Sequence, residues 1–568
     1  MNSQLTSSPP AANAAASAID AILGAGVDTI YCNPGTTELP LIRELAGRED
    51  LRYVPALHES TAIAGAAGHA LATGSPGVAV VHAMPGVANA LNMIYNASRS
   101  HVPLVVIAGV QDLRHQFLDP MLQADVVGVL RPIVKRVWEA HTGEALAEIV
   151  SLALRDAVAQ PAGPVAICVP LNVWEMPAGA SLIQSAAVAP KLGAAPPDQV
   201  ERLADLLVEA DSPSLLVGDV AAQRDAGAAI SALAAAAAAT VRWAPACSLA
   251  GSSTESPYHR GPIFPDARSF ARAFADADML LGLGAELLPP TVYEGRDLIP
   301  DELVCATLSE VPGEDTGIVR AQLSVFGDLP DTLAALERAV ASRAAADPAL
   351  AERIAARREA LRVEHERERA RLRERSLPQP GDAGPLASRV AVQVGLDAAP
   401  GNAVVVDEAI SNSGWVSLLG SFGDPLSYVT LARGGGLGYA LGMAAGVQVA
   451  SGRPVLAFVG DGALVYGPQA LWTIAHEQLP VVTCVLNNRS YAILKGFMRA
   501  HFAGDGEDGG AAAMLDIATP PVDTVAMARS YGVEAAQAGD AASLGTALGE
   551  AFASGRPWLI DVGIAGSA

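Results

Sequence analysis

The sequence predicts an α/β protein built from three doubly wound, parallel-sheet blocks. Three observations lead there: short, near-continuous apolar runs, helical stretches of small residues between them, and two linkers that divide the chain. Strands buried on both faces of a parallel sheet read as unbroken Val, Ile and Leu runs rather than as alternating ones. With 568 residues the chain can hold several domains with sizeable cores. Its 51% hydrophobic and 17% charged content suits an enzyme with much buried surface.

The first block covers about 12–185. Its strand candidates are Thr29–Cys32, Val78–His82, Leu104–Ala108 and Val165–Val169. A strand-like Leu51–Val54 precedes a small-residue helix at Ala62–Ala72, and the Ala/Pro-rich linker Ala187–Pro197 closes the block. The second block, about 195–342, offers Ser214–Val217, Thr240–Trp243, Met279–Gly282 and Glu302–Thr307 as strands. Its Ala-rich run Ala226–Thr240 is short and mostly alanine, so it predicts a packed helix rather than a membrane span. A charged helical linker follows at 343–383, with Asp347 as N-cap and Pro348 at the first helical position. That helix runs through Glu352–Arg375 with a solvated face and stops before Leu377-Pro378-Gln379-Pro380-Gly381. The third block, 384–568, has a strand at Val455–Val459, a helix at about Gly467–Glu477 and a strand at Val481–Leu486.

A formal charge of −23 argues against a nucleic-acid partner, which would require basic patches. The five cysteines are scattered and form no CxxC pair, as expected in a reducing compartment. Met1–Ala15 lacks the basic start and Leu-rich core of a signal peptide, so the expected location is cytoplasmic, with no membrane partner.

The most specific motif is Gly460-Asp461-Gly462, followed 27 positions after Asp461 by Asn488 of Asn487-Asn488. Both pieces would end strands of one parallel sheet and so face one crevice. A hard cation there takes a carboxylate, a side-chain amide, a backbone carbonyl and phosphate oxygens. The two glycines let the backbone approach a phosphate. The segment therefore suits Mg²⁺ together with a diphosphate.

This motif resembles the thiamin diphosphate signature of the decarboxylase and acetolactate synthase superfamily. The three blocks match that superfamily's pyrimidine-binding, central and diphosphate-binding domains. The nearest likeness is to benzoylformate decarboxylases, carried by Asn33-Pro34-Gly35-Thr36-Thr37-Glu38-Leu39-Pro40, Glu59, His82, Gly86, Asn89 and Arg131-Pro132-Ile133-Val134-Lys135. The resemblance implies that Glu59 activates the cofactor through its pyrimidine ring and that His82 relays protons. Thr36 would contact the substrate carboxylate, while Gly35, Asn89, Ser411 and Tyr491 would line the cofactor. In Gly434-Gly435-Gly436-Leu437-Gly438, the Gly435 carbonyl would meet the pyrimidine amine and Leu437 would prop the cofactor. Asp461, Asn488 and the Ser490 carbonyl would hold the metal, with Gly462 and Ala463 offering N–H groups to the diphosphate.

Departures from the pattern limit what it implies. The family's second active-site histidine aligns with Ser256; the nearest histidine is His259, three positions on, a catalytic candidate that would either substitute from a shifted loop and move protons or be structural. The substrate wall of Met121, Leu122, Ile410, Ile493, Leu494 and Phe497 is bulkier than expected: Ile410 stands for a threonine and Ile493 for an alanine. The implied reaction is Mg²⁺- and thiamin diphosphate-dependent decarboxylation of an aryl, branched or alkyl 2-oxo acid to an aldehyde, through an enamine. Carboligation as in acetolactate synthases, 2-hydroxyacyl-CoA cleavage and a non-catalytic subunit are the alternatives. FAD in the central block has no support, because Gly218-Asp219 and Gly282-Leu283-Gly284 are not a full GxGxxG; a CoA nucleotide stays open on the same grounds. The resemblance further implies a homodimer at least, and a homotetramer as the expected state, with Glu59 of one subunit completing the Asp461 site of another.

Overall fold

Among the described residues, eighteen strands make three six-stranded sheets whose strand pairings are parallel. The computed structural model describes residues 13–179, 192–286, 299–311, 321–378, 384–502 and 509–565. The linker residues 187–191 and the helix-stop residues 379–381 lie outside these.

The first sheet contains β1 (Thr29–Cys32), β2 (Arg52–Pro55), β3 (Gly77–His82), β4 (Leu104–Val110), β5 (Arg136–Glu139) and β6 (Val165–Pro170), in the order β2-β1-β3-β4-β6-β5. The second contains β7 (Pro213–Val217), β8 (Thr240–Trp243), β9 (His259–Pro262), β10 (Met279–Leu283), β11 (Val304–Ser309) and β12 (Leu323–Phe326), in the order β12-β11-β10-β7-β8-β9. The third contains β13 (Val404–Glu408), β14 (Tyr428–Val429), β15 (Val455–Gly460), β16 (Val481–Asn487), β17 (Glu534–Ala538) and β18 (Trp558–Gly563), in the order β14-β13-β15-β16-β18-β17. The first and third sheets thus repeat one topology. Each reverses its winding between its first and third strands, and at such a switch point the carboxyl ends of the strands leave a ligand crevice.

Inner strands are apolar because both faces are covered. In β10, Met279, Leu281 and Leu283 enter one core with Leu333 and Leu336, while Leu280 enters another with Phe270 and Phe274. Alternate side chains of a strand point to opposite faces, so one apolar run feeds two cores. Each such buried side chain contributes roughly 1.5–3 kcal/mol.

Some boundaries differ from the sequence reading. The predicted helix at Gly467–Glu477 shortens to Ala470–His476, because Gly467 and Pro468 form a turn. Glu302 lies in a turn and its strand begins at Val304. The charged helix spans Pro348–Arg375, with the Asp347 carboxylate accepting from the Ala349 and Leu350 N–H groups at 2.9 and 3.3 Å.

The chain forms two compact units. One comprises Met1–Pro190, Gly434–Ser451 and Gln469–Glu477; the other comprises Lys191–Arg433, Gly452–Pro468 and Gln478–Ala568. Within the first unit, helix Glu59–Thr73 packs on helix Ala440–Ser451 with unusually close backbones. A Cβ on Gly446 would lie 1.9 Å from the Gly65 carbonyl oxygen, and one on Gly68 would lie 2.3 Å from that of Met443. Glycine is thus obligatory at this crossing, which fixes the helix that begins with Glu59. No described helix is long and apolar enough to cross a membrane.

Candidate active site

In the first unit, the switch point of the first sheet lies at the ends of β1 and β3. The chain leaves β1 through Asn33-Pro34-Gly35 into a 3₁₀ turn at Thr36–Glu38, and leaves β3 at His82 into helix Ala83–Arg99. The turn and the histidine meet. His82 Nδ1 is 2.9 Å from Glu38 Oε2 and 3.0 Å from Thr37 Oγ1. Glu38 is fully buried, accepts the Gly35 N–H at 2.8 Å on Oε2 and takes the Thr37 hydroxyl at 2.6 Å on Oε1.

Two glycines make room for this cluster. A Cβ on Gly35 would lie 2.2 Å from the His82 ring, and one on Gly109 of β4 would lie 1.8 Å from Glu38 Oε1. Glu38 is a residue that sequence reasoning missed. Its only signals were a place inside the quoted motif and an acid two residues before a proline that opens a helix.

Glu59 follows β2, at the first position of its helix, where His58 caps by accepting the Ser60 N–H at 3.2 Å. It is buried, and Asn89 donates from Nδ2 to its Oε2 at 3.0 Å. Gly86 is again required, since a Cβ there would come within 2.9 Å of Glu59 Oε1. The glycine loop belongs to the same unit. Asn96 donates to the Gly436 carbonyl and accepts the Gly436 N–H, both at 2.9 Å, and Asn92 donates to the Leu437 carbonyl at 3.2 Å. These two asparagines, also missed in the sequence, sit four apart on helix Ala83–Arg99 and so share one face. Gly435 itself needs glycine because its φ is +77°. Thr36 is exposed at the start of the 3₁₀ turn; Met121 is exposed and Leu122 half-buried on the loop after β4.

In the second unit, the third sheet's switch point lies at the ends of β13 and β15. Asp407 is fully buried and accepts from the Ala409 N–H, Ser413 Oγ and Tyr428 OH, each at 2.9 Å. Those bonds shape the 3₁₀ turn Ile410–Asn412 that carries half-buried Ser411. Ile410 holds φ +52°, costly for a β-branched residue and therefore imposed by its surroundings.

Asp461 follows β15 and is buried. Burial pushes its carboxyl up from the ordinary range, against hydrogen bonds from the Gly462 and Arg489 N–H groups. Among the described residues no cationic side chain pairs with it. At the end of β16, Asn487 donates to Asp561 at 2.9 Å, and just beyond it Asn488 Oδ1 accepts the Ser490 N–H at 2.9 Å. The next residues are tied down as well: the Tyr491 N–H reaches the Leu515 carbonyl at 2.9 Å. A Cβ on Gly462 would lie 3.0 Å from the Tyr491 ring, so backbone and ring pack directly. Ala463 is buried in the turn of helix that Asp461 opens. Ile493, Leu494 and Phe497 share helix Ala492–His501, the first two about half exposed.

These residues fit a hard cation with a diphosphate. A buried carboxylate without a counter-charge is costly and favours a cation beside it. Among the described residues no three His, Cys, Asp or Glu side chains converge on a metal site. A cation at Asp461 therefore has to draw on the Asn488 amide, a backbone carbonyl and ligand oxygens, the mixed set Mg²⁺ accepts.

His259 stands elsewhere in the second unit. It opens β9, the outer strand of the second sheet, where its ring meets Trp243 edge-on at 5.3 Å and its carbonyl accepts from His365 at 3.3 Å. Its Nδ1 is buried without a partner, and burial, first of all, lowers its pKa to about 3. The ring is thus neutral and enclosed.

The second sheet's own switch point lies between β7 and β10. A Cβ on Gly218 would be 2.2 Å from the Gly284 carbonyl oxygen, so the two turns are already in contact. The space beside them holds the buried Asp219 carboxylate, which pairs with Arg433 at 2.7 Å and accepts the Ser248 N–H at 2.6 Å.

Comparison with known proteins converges on the same chemistry. Residues 12–127 match the thiamine pyrophosphate enzyme N-terminal TPP binding domain, and 410–562 match the C-terminal TPP binding domain. The chain is 32% identical over 554 residues to benzoylformate decarboxylase of Pseudomonas aeruginosa, covering 94% of this chain and 96% of that protein. It is 27% identical over 567 residues to an acetolactate synthase large subunit of Parasynechococcus marenigrum, covering 98% and 88%. Among solved structures, the thiamine diphosphate-dependent 4-hydroxybenzoylformate decarboxylase of Rhodococcus jostii RHA1 superposes with a TM-score of 0.82 at 28% identity, covering 98% of this chain and all of that one.

Proposed function

We propose that this chain, which belongs to the decarboxylase and acetolactate synthase family of thiamin diphosphate enzymes, removes CO₂ from a 2-oxo acid and gives the aldehyde. The observation that carries the reading is His82: Glu38 and Thr37 occupy its Nδ1, which leaves Nε2 free to take up a proton and pass it on to product. Delivery of a proton, rather than of a second carbonyl, ends the reaction at an aldehyde.

Bound thiamin diphosphate supplies a nucleophilic carbon and an electron sink. The protein's part is to bind, orient and move protons. Glu59, steadied by Asn89, holds a proton at the cofactor's pyrimidine ring, while Gly35, Gly435, Leu437 and Tyr491 shape the cofactor's seat. Asp461, Asn488 and the Ser490 carbonyl hold Mg²⁺, and Ser411, Gly462 and Ala463 contact the diphosphate. Thr36 hydrogen-bonds the substrate carboxylate. Met121, Leu122, Ile410, Ile493, Leu494 and Phe497 form an apolar wall that discriminates by roughly 1–3 kcal/mol per methylene.

His259 has a packing role in this reading, supported by its enclosure against Trp243. No FAD or CoA nucleotide is part of this reading; the buried Asp219–Arg433 pair at the second sheet's switch point is given a structural role. The five cysteines are all buried and unpaired, which suits the cytoplasm. Two subunits share each site, Glu59 from one and Asp461 from the other, within a dimer that pairs into a tetramer.

Replacing Glu59 by Gln tests the reading. The expected result is loss of 2-oxo acid-dependent CO₂ release with cofactor binding retained; full activity in the variant would remove Glu59 from the mechanism. For the shared site, mixing Glu59→Gln and Asp461→Ala proteins under subunit exchange should restore activity, and no recovery would count against sharing.

A further inference from the structure

We infer that Glu38 is a positioning residue that fixes the tautomer and orientation of His82; the inference rests on the decarboxylase reading only for the rate effect it expects. The donors and acceptors around the imidazole allow one arrangement. The Thr37 hydroxyl hydrogen is committed to Glu38 Oε1 at 2.6 Å, so toward His82 its oxygen can only accept. Glu38 Oε2, at 2.9 Å, is the oxygen that already accepts the Gly35 N–H, and it acts as an acceptor toward His82 as well. Both neighbours of Nδ1 are therefore acceptors, and Nδ1 carries the hydrogen. Nε2 keeps its lone pair and points away from the cluster.

Burial makes the arrangement rigid. Glu38 is fully enclosed while the His82 side chain keeps 19% of its surface. A carboxylate in that setting is tolerable only with its hydrogen bonds made, so the turn Thr36–Glu38 and the ring are coupled. Gly35 and Gly109 have no room for a side chain beside the ring and the carboxylate respectively. Four segments, the 3₁₀ turn, the end of β3, the loop after β1 and β4, thus converge on one proton.

The test combines a double-mutant cycle with a spectroscopic reading. Glu38→Gln keeps the shape and removes the charge. In the otherwise native enzyme it should lower kcat by roughly tenfold to a hundredfold, the range of a misplaced catalytic group, with KM within threefold. In a His82→Ala background the same change should move kcat by less than twofold, since Glu38 acts through the ring. An equal loss in both backgrounds, or no loss in the native one, overturns the proposal and leaves the decarboxylase reading standing. Without any turnover, ¹⁵N-histidine NMR of the cofactor-free protein, assigned by difference with His82→Ala, should show Nδ1 protonated and Nε2 bare at neutral pH. A protonated Nε2 with a bare Nδ1 overturns the proposal. Absence of CO₂ release in the native enzyme defeats the activity reading instead, and the NMR result then decides Glu38 by itself.

Discussion

Gly35→Ala perturbs the His82 contact without altering the histidine itself. Gly35 has φ −129° and ψ −160°, an extended conformation any residue adopts, so alanine brings no backbone strain. The added methyl would lie 2.2 Å from the His82 ring, which must retreat by about 1.2 Å to reach the 3.4 Å of ordinary contact. A shift of that size takes Nδ1 out of hydrogen-bond range of Glu38 Oε2, now 2.9 Å away. Losing a hydrogen bond to a charged group costs about 1.5–3 kcal/mol of stability. Displacing a catalytic group by about 1 Å costs roughly a hundredfold in rate. Steady-state kinetics on a 2-oxo acid and thermal melting read the two effects. Gly47→Ala is the matched control, since its nearest neighbour would be 3.7 Å away. If Gly35→Ala kept kcat within twofold of the native enzyme while Gly47→Ala did the same, the steric argument would be wrong.

Further changes probe other parts of the structure. Gly446→Ala drives a methyl to 1.9 Å from the Gly65 carbonyl oxygen and should destabilise by about 1–3 kcal/mol in chemical denaturation, although alanine is the better helix former. His259→Leu should leave kcat within twofold and flatten the acid side of the stability profile. The sign follows from its pKa, lowered to about 3 by burial: between the ordinary value of 6.5 and 3 the unfolded chain binds the extra proton. Native stability therefore falls as pH drops, by up to about 1.4 kcal/mol per pH unit, and the leucine variant should lack that slope. Asp461→Asn should abolish Mg²⁺-dependent cofactor binding, seen by calorimetry, while the melting temperature of the cofactor-free protein rises at neutral pH as an uncompensated buried charge disappears.

Inner strands were legible because burial on both faces demands an unbroken apolar run, as in Val78–His82 and Val481–Leu486. Of the outer strands only β2 was, at Leu51–Val54. β5, Arg136–Glu139, and β12, Leu323–Phe326, are partly exposed and carry polar residues, so nothing in their composition separates them from loops. β9, β14 and β17 are also outer strands that the sequence did not mark, and the inner β13 and β18 went unmarked because no site motif drew attention to both of their ends. The switch-point residues Glu59, His82, Asp461 and Asn488 stood out through local spacing and family resemblance. Glu38 did not, because its meaning depends on Gly109, contributed by another strand 71 positions later. Asn92 and Asn96 were hidden for the same reason: the loop they hold lies some 340 residues further along the chain.

Under the proposed function, proton delivery from His82 ends the reaction at an aldehyde. Its most direct test is product analysis of the purified enzyme with thiamin diphosphate and Mg²⁺, across aryl and alkyl 2-oxo acids, counting CO₂ and aldehyde in the same sample. One aldehyde for each CO₂ is expected in the native enzyme, and neither product in Glu59→Gln. A hydroxyketone or acetohydroxy acid as the main product, with CO₂ released but little aldehyde, would contradict it.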